Sequence, residues 1–330
     1  MNSLLSPFSS QSGPYNTLAG LGLYPPPSPA PYASSYKWIA VQPRFEQFNS
    51  DLGLTALQQR DGLTKRAGVV SCLNREYFGV SSDTDNSFLV GSWGKSTAKR
   101  PPRDVDLYFL LPAAVYHRFQ ANRWNRQSAL LQEVKDALGE TYPNTEMRGD
   151  GQVVVVGFES FNVEVVPAFL LTTGRYWICN THDGGSYKET DPWAELRYID
   201  AIDNACNHNL RPLIRMIKAW QSWCSVPIKS FMLELVAAEF LSQSPWREKT
   251  FFWFDWIARD FLAYLWNRAN SFLLVAGTQE RVWLGNDWQS RAESAWRRAV
   301  KACEYEERNQ VQAAGEEWQK IFGPQIPRTI

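Results

Sequence analysis

The chain has 330 residues, 44% of them hydrophobic, and includes 15 Trp and 18 Phe. This apolar content suffices for one large domain or two of ordinary size and indicates a folded globular protein. The chain has 34 basic residues (Lys and Arg) and 34 acidic residues (Asp and Glu), so its net charge is zero. No overall electric field would therefore attract it to nucleic acid or membranes, and any site for a polyanion must be local.

The numbers and spacing of cysteine and histidine bear on which kinds of site the chain can form. The five cysteines are odd in number and scattered, without a C-x-x-C pair, which favours reduced thiols in a cytoplasmic compartment over disulfides or a zinc site. The chain has only three histidines, so a histidine-based metal or hydrolase site is not expected.

The first 36 residues contain no Lys, Arg, Asp or Glu and are rich in Pro and Ser. We predict a flexible leader over residues 1–36 with extended polyproline conformations, and a proline-rich docking peptide is the alternative. A signal peptide is not expected, because no basic residues precede an uninterrupted apolar run. No stretch of about 18 apolar residues predicts a membrane span.

The next elements alternate between helix and strand. Residues 38–78 place apolar side chains at three- and four-residue steps, which predicts helix. Strands are predicted in "SFLVGSW" (87–93) and "DVDLYFLL" (104–111). Residues 124–140 form an amphipathic helix whose apolar face is Leu130, Leu131, Val134 and Leu138.

The remaining chain predicts a hairpin followed by a helical half. Two β-rich runs flank "GFES" in "GQVVVVGFESFNVEVVPAFLL", which is typical of a hairpin, here ending at Pro167. Residues 180–192 predict a polar loop. From Pro192 onward the pattern is mostly helical.

Two carboxylates on the second strand suggest a metal site. Strand alternation places Asp104 and Asp106 on one side, with Val105 pointing into the core. Like charges this close raise one pKa or require a cation, and hard oxygen ligands suit Mg²⁺ that bridges to substrate phosphates. Upstream, a turn at Gly91 and Ser92 would let main-chain N–H groups approach an anion, which supplies a phosphate cradle.

A third acid lies in the predicted hairpin. Glu164 would face the side opposite Val163 and Val165, on a strand otherwise built for burial. A buried single carboxylate is costly unless it is paired or binds metal. The alternative is a glutamate on an edge strand that faces water.

This combination resembles a known family. Gly91-Ser92, then Asp104-x-Asp106, then a strand carboxylate before "VVPAF" is similar to the nucleotidyltransferase pattern of the polymerase-β superfamily, in its cGAS/DncV-like (CD-NTase, SMODS-type) branch. The resemblance covers about residues 40–325, and its further stretches are "DGGSYKETDP", "LRPLIRMIKAWQSW", "PIKSFMLELVAAEFL" and the tail "AWRRAVKACEYEERNQVQAAGEEWQKIFG". One departure is Glu164, because relatives commonly carry Asp at the third acid.

The resemblance implies an α+β fold. A polymerase-β-like nucleotidyltransferase core of mixed sheet and flanking helices (37–190) would pack on a C-terminal helical bundle (191–330), with the active site in the cleft between them.

The helical half carries candidate nucleotide contacts. In "LRPLIRMIKAWQSW", Arg211, Arg215 and Lys218 follow one helix face and form a cationic strip, for which a solvated face is the alternative. The resemblance places Lys218 and Ser230 on the triphosphate of the incoming nucleotide and Phe231 beside a base, whereas Phe231 could also be ordinary core.

The resemblance also implies the reaction and its setting. Two Mg²⁺ ions, with Mn²⁺ as a substitute, would be held by Asp104, Asp106 and Glu164. ATP, GTP or pyrimidine NTPs would be joined into a cyclic di- or trinucleotide that acts on a separate effector in bacterial anti-phage defence, with regulatory defence proteins as further partners. No direct DNA or RNA activator is expected. The alternatives are a linear oligonucleotide synthase or other nucleotidyltransferase, and a catalytically inactive nucleotide-binding scaffold.

Overall fold

The computed structural model describes residues 37–121 and 125–330, and it has the predicted α+β architecture. The predicted leader lies outside the described residues. The helices are α1 (Val41–Leu52), α2 (Ala56–Phe78), α3 (Gly91–Gly94), α4 (Ala113–Gln120), α5 (Arg126–Thr141), α6 (Pro192–Ala205), α7 (Leu210–Trp223), α8 (Ser230–Gln243), a 3₁₀ turn (Phe251–Trp253), α9 (Phe254–Trp266), α10 (Gln289–Glu307) and α11 (Val311–Phe322). The strands are β1 (Ser87–Leu89), β2 (Asp104–Leu110), β3 (Glu146–Asp150), β4 (Val153–Gly157), β5 (Asn162–Leu170), β6 (Tyr176–Asn180), β7 (Ser186–Thr190), β8 (Phe272–Leu274) and β9 (Arg281–Trp283). Within this part of the chain, no helix is both long and apolar enough to cross a bilayer.

A mixed sheet forms the first half. Its strands follow the order β1-β2-β5-β4-β3, and β6 and β7 continue from β5. The central strands β2 and β5 are parallel, with Asp106 opposite Glu164, whereas β4 and β5 are antiparallel. The predicted hairpin is therefore confirmed, although β5 continues through Pro167 to Leu170 and pairs there with β6.

One predicted loop is wrong. Residues 180–192 were expected to be irregular, but residues 186–190 form β7, which is antiparallel to β6. The ring of Tyr187 stacks on Trp177 at 6.0 Å, so this polar segment has an apolar anchor. Polar side chains are tolerated here because β7 pairs only with β6 in the seven-stranded sheet.

The protein has two large hydrophobic cores, one beneath the sheet and one among the later helices. The sheet packs against α2 and α5 through side chains such as Leu73, Leu130 and Val165. The larger core joins the helices that follow residue 192 and also includes Phe45 and Phe48 of α1. In its packing α1 therefore belongs with the helical half, and the predicted division at residue 190 stays a prediction.

Arg44 ties α1 to the end of the chain. Its fully buried guanidinium donates from Nε to Glu306 Oε1 at 2.8 Å and from Nη2 to the carbonyl of Val311 at 2.8 Å. Nη1 donates to the carbonyls of residues 327 and 328. A Cβ on Gly315 would lie 2.2 Å from the Arg328 carbonyl, so the final residues lie directly on α11.

We expect Arg44→Met to destabilise the protein by about 3–5 kcal/mol, because it leaves the Glu306 carboxylate and several carbonyls buried without their donor. Urea unfolding of the full chain measures this. The control is Arg297→Met, which removes an exposed pair with Glu293 and should cost about 0–1 kcal/mol. Equal losses in the two variants would contradict the role of Arg44.

Candidate active site

Three carboxylates share one face of the two central strands. Asp104 and Asp106 alternate with buried Val105 on β2, as predicted. Across the parallel pairing Asp106 lies opposite Glu164, and Asp104 lies opposite Asn162. Asn162 Nδ2 donates to Asp104 Oδ1 at 3.0 Å, which orients that carboxylate.

The pKa values of two of these carboxylates lie above their ordinary range. Burial raises the pKa of Asp106 to about 6, and Asp104 adds to the shift. Burial also raises the pKa of Glu164 to about 7, with Asp104 and Asp106 adding. Such a donor set of carboxylate oxygens fits a hard divalent cation.

The carboxylates alone do not complete a metal site. Over residues 37–121 and 125–330, no three His, Cys, Asp or Glu side chains converge closely enough to hold an ion. A cation bound by the acidic pair would therefore take its other oxygen ligands from substrate phosphates and water, as Mg²⁺ commonly does.

The Gly91–Ser92 turn packs directly against the side chain of Asp106. The predicted strand 87–93 ends at Leu89, and residues 91–94 form the short helix α3 instead. Gly91 has φ +55°, and a Cβ there would lie 1.8 Å from Asp106 Oδ2, so only glycine fits. The main-chain N–H of Ser92 donates to the Asp106 carboxylate.

A cleft of about 380 Å³ lies between the sheet and the helical half. Its volume is in the range of small-molecule sites. Most of the predicted site residues line it, namely Gly91, Ser92, Asp104, Asp106, Lys218, Ser230 and Phe231. Glu164 is not among the lining residues and remains beside Asp106 on the neighbouring strand.

The three side chains of the cationic strip on α7 donate hydrogen bonds to other parts of the protein. They reach across to the segment after α3, and each donates to a successive main-chain carbonyl. The pairs are Arg211 Nε to Lys95 O at 2.9 Å, Arg215 Nη1 to Ser96 O at 3.2 Å and Lys218 Nζ to Thr97 O at 3.2 Å. The helical half therefore fixes residues 95–97 through hydrogen bonds, and these residues connect α3 with the loop before β2.

This changes the interpretation of Lys218. Besides the Thr97 carbonyl, its ammonium donates to Thr97 Oγ1 at 3.0 Å and to Glu234 Oε1. An ammonium has three protons, and all three are used within the protein. Lys218 lines the cleft, but it can donate to a phosphate only by giving up one of these bonds.

Glu234 is the buried counter-charge of this network. Its side chain also accepts from Lys95 Nζ at 2.7 Å and from Thr97 Oγ1 at 2.7 Å. Burial opposes its charge, but Lys218 and Lys95 outweigh burial and lower the pKa of Glu234 to about 2. The sequence analysis missed Glu234, although a single acid in the apolar run "FMLELVAA" was a signal.

Ser230 and Phe231 have protein partners as well. Ser230 Oγ donates to Gln221 Oε1 at 2.7 Å. The Phe231 ring packs against the helical core, and the ammonium of Lys95 lies 5.2 Å from its centroid. Phe231 therefore serves as partial core and also presents a ring to the cleft.

We expect Glu234→Gln to destabilise the protein by about 3 kcal/mol, because two buried ammonium groups lose their shared counter-charge. Adding Lys218→Met should cost less than the sum of the two single changes, since it removes one uncompensated cation. Because the folded pKa of Glu234 lies below its ordinary 4.5, wild type should lose this advantage as the pH falls from about 4.5 towards 2. Urea unfolding at several pH values measures both effects, and additive losses at constant pH would contradict the coupling.

Comparisons with known proteins follow this geometry. Residues 39–202 match the model of the Second Messenger Oligonucleotide or Dinucleotide Synthetase domain. A probable cyclic nucleotide synthase of Bacillus cereus is 22% identical over 217 residues, which are 60% of this chain and 62% of that relative's length.

Two solved structures share the fold. CdnC of Escherichia coli MS115-1, in complex with HORMA-deltaN, superposes with a TM-score of 0.63 at 19% identity, over 87% of this chain and 98% of that one. A mutant of the di-nucleotide cyclase DncV of Vibrio cholerae gives a TM-score of 0.62 at 12% identity, over 96% and 92%. The protein therefore carries a Second Messenger Oligonucleotide or Dinucleotide Synthetase domain at residues 39–202 and has the fold of the cGAS/DncV-like nucleotidyltransferases, as its sequence predicted.

Proposed function

We propose that this protein is a nucleotidyltransferase that joins nucleoside triphosphates into a cyclic di- or trinucleotide and releases pyrophosphate. The observation that carries the proposal is the acidic pair Asp104 and Asp106 in the wall of a cleft, with the Gly91–Ser92 turn held against Asp106. The similarity to a probable cyclic nucleotide synthase and to a di-nucleotide cyclase supports it, as does the structure of CdnC with ATP.

The acidic residues would hold the cations. Asp104 and Asp106 would hold two Mg²⁺ ions, or Mn²⁺ in their place, with phosphate oxygens and water as further ligands. Glu164 on the adjacent strand would join this set by moving its carboxylate towards the pair, because the three side chains do not converge in the described residues. Bound there, the ions supply positive charge at the transferring phosphate and lower the pKa of the acceptor hydroxyl. The raised pKa values of Asp106 and Glu164 support this assignment, because a cation relieves the repulsion that contributes to them.

The rest of the cleft positions the substrates. Gly91 and Ser92 hold the donor phosphates, while Ser230 and Phe231 contact the incoming nucleotide from the helical side. The acceptor ribose hydroxyl attacks the α-phosphorus in line, which forms the new phosphodiester and breaks the bond to the leaving pyrophosphate. Lys218 acts through the segment 95–97 that it holds, since its donors are occupied.

The product acts outside the enzyme. A cyclic nucleotide from ATP, GTP or pyrimidine NTPs would activate a separate effector in anti-phage defence, in the cytoplasm. CdnC was solved in complex with HORMA-deltaN, and this supports a regulatory protein partner here as well. Neither a membrane nor a direct DNA or RNA activator is part of the proposal.

Replacing Asp104 and Asp106 together by Asn should lower pyrophosphate release by about a thousandfold or more, because losing the cation ligands costs several kcal/mol at about 1.4 kcal/mol per decade. The melting temperature should hold or rise, because the carboxylates no longer repel. The control is Asp183→Asn, the same change at an exposed position. Turnover within about tenfold of wild type would refute the assignment.

The product distinguishes a cyclase from a chain-extending enzyme. Ring closure consumes both reactive ends, so the product should be short, of one dominant length and without terminal phosphate. Mass spectrometry after incubation with each pair of labelled NTPs and Mg²⁺ measures this, and alkaline phosphatase should leave mass and mobility unchanged. A ladder of products that shifts after phosphatase treatment would replace the cyclase with a linear oligonucleotide synthase.

A further inference from the structure

Two cations in the cleft are not committed to protein partners. Lys99 and Arg103 both line it, in the loop between α3 and β2. Lys99 Nζ donates a long hydrogen bond of 3.4 Å to the carbonyl of Arg100. Arg103 Nη2 donates a similarly long hydrogen bond of 3.3 Å to Ser222 Oγ. Among the described residues, neither side chain has a carboxylate within ion-pair distance.

The other lysines of the cleft differ in this respect. Lys95 and Lys218 are buried and share the carboxylate of Glu234. Lys99 is half-buried and Arg103 is exposed, so their charged ends remain accessible to a ligand. We therefore call Lys95 and Lys218 the structural pair, and Lys99 and Arg103 the available pair.

The loop that carries the available pair is held at several points. The main-chain N–H of Ala98 donates to Ser92 O at 3.1 Å, and that of Arg100 donates to Leu52 O at 2.8 Å. The carbonyl of Arg103 accepts from the Asn162 N–H at 3.2 Å. Prolines 101 and 102, whose φ is fixed by their rings, lie between these anchors.

Other positive charges lie close to Lys99. Burial lowers the pKa of Lys99, and the positive charges of Arg103 and Lys218 lower it further. Because neither Lys99 nor Arg103 forms an ion pair with the acids that line the cleft in the described part of the chain, their charge is available to a ligand with several negative charges. The guanidinium of Arg103 can also engage phosphate oxygens in a bidentate manner.

We infer that Lys99 and Arg103 bind the polyphosphate chain of a nucleotide in this cleft, the role that the family resemblance implied for Lys218. The inference rests on the proposed function insofar as the ligand is a nucleoside triphosphate. It also gives a role to Lys99 and Arg103 in the basic run "KSTAKRPPR" between the Gly-Ser turn and the acidic pair, two cations that the proposed reaction leaves without one.

Titration calorimetry on the full chain tests this without turnover. The ligands are α,β-methylene-ATP with Mg²⁺, inorganic tripolyphosphate, and adenosine. Lys99→Gln and Arg103→Gln should each raise the Kd for the first two about tenfold or more, because each removes a charged hydrogen bond, and should leave the Kd for adenosine unchanged. Arg103→Lys, which keeps the charge, should retain part of the affinity.

The matched control is Arg100→Gln in the same loop. The Arg100 side chain donates to Ser50 O at 2.8 Å, outside the cleft lining, so this loss of charge should leave both Kd values within about twofold of wild type. Melting temperatures of all variants report whether the loop remains folded.

The outcomes distinguish the inference from the proposed function. Wild-type Kd values for α,β-methylene-ATP in both glutamine variants would overturn the inference, even if the enzyme makes a cyclic product. Equal weakening by Arg100→Gln would overturn it too, since the effect would then be general charge. If no cyclic product forms but tripolyphosphate binding falls only in the Lys99 and Arg103 variants, the inference holds and the proposed reaction fails.

Discussion

Three cations on one helix hold the segment that shapes the candidate active site. Arg211, Arg215 and Lys218 recur at three- and four-residue steps on α7, and each donates to one successive carbonyl of residues 95–97. Main-chain carbonyls outside regular structure have no partner within a helix or sheet, and here the other half of the protein supplies their donors. The cleft between the halves depends on this contact.

The same contact links the helical half to the acidic pair. Residues 95–97 follow α3 directly, and the N–H of Ser92 in α3 donates to the carboxylate of Asp106. Gly91 can lie against that carboxylate only because it has no Cβ. A shift of α7 would therefore move the Gly91–Ser92 turn relative to Asp104 and Asp106, so the two halves must pack correctly for the site to form.

Charge in the cleft is divided by burial. Burying Lys95 and Lys218 requires a counter-charge, and Glu234 supplies it from α8. Lys99 and Arg103, nearer to solvent, need no such partner and stay available to an anion. The cations that are most buried serve the fold, and the accessible ones are those suited to a ligand.

The sequence by itself determined the features that arise from local geometry. Strand alternation put Asp104 and Asp106 on one face, helical periodicity placed the three cations of α7 on another, and motif order indicated the fold family. Only the tertiary structure decided what each face contacts. The α7 cations contact residues 95–97, Lys218 also contacts Glu234, and α1 packs into the helical core. Pairing with β6 at the edge of the sheet likewise makes residues 186–190 a strand. The physical reason is that backbone periodicity fixes the direction of a side chain, whereas its partner comes from a distant part of the chain that packing brings near.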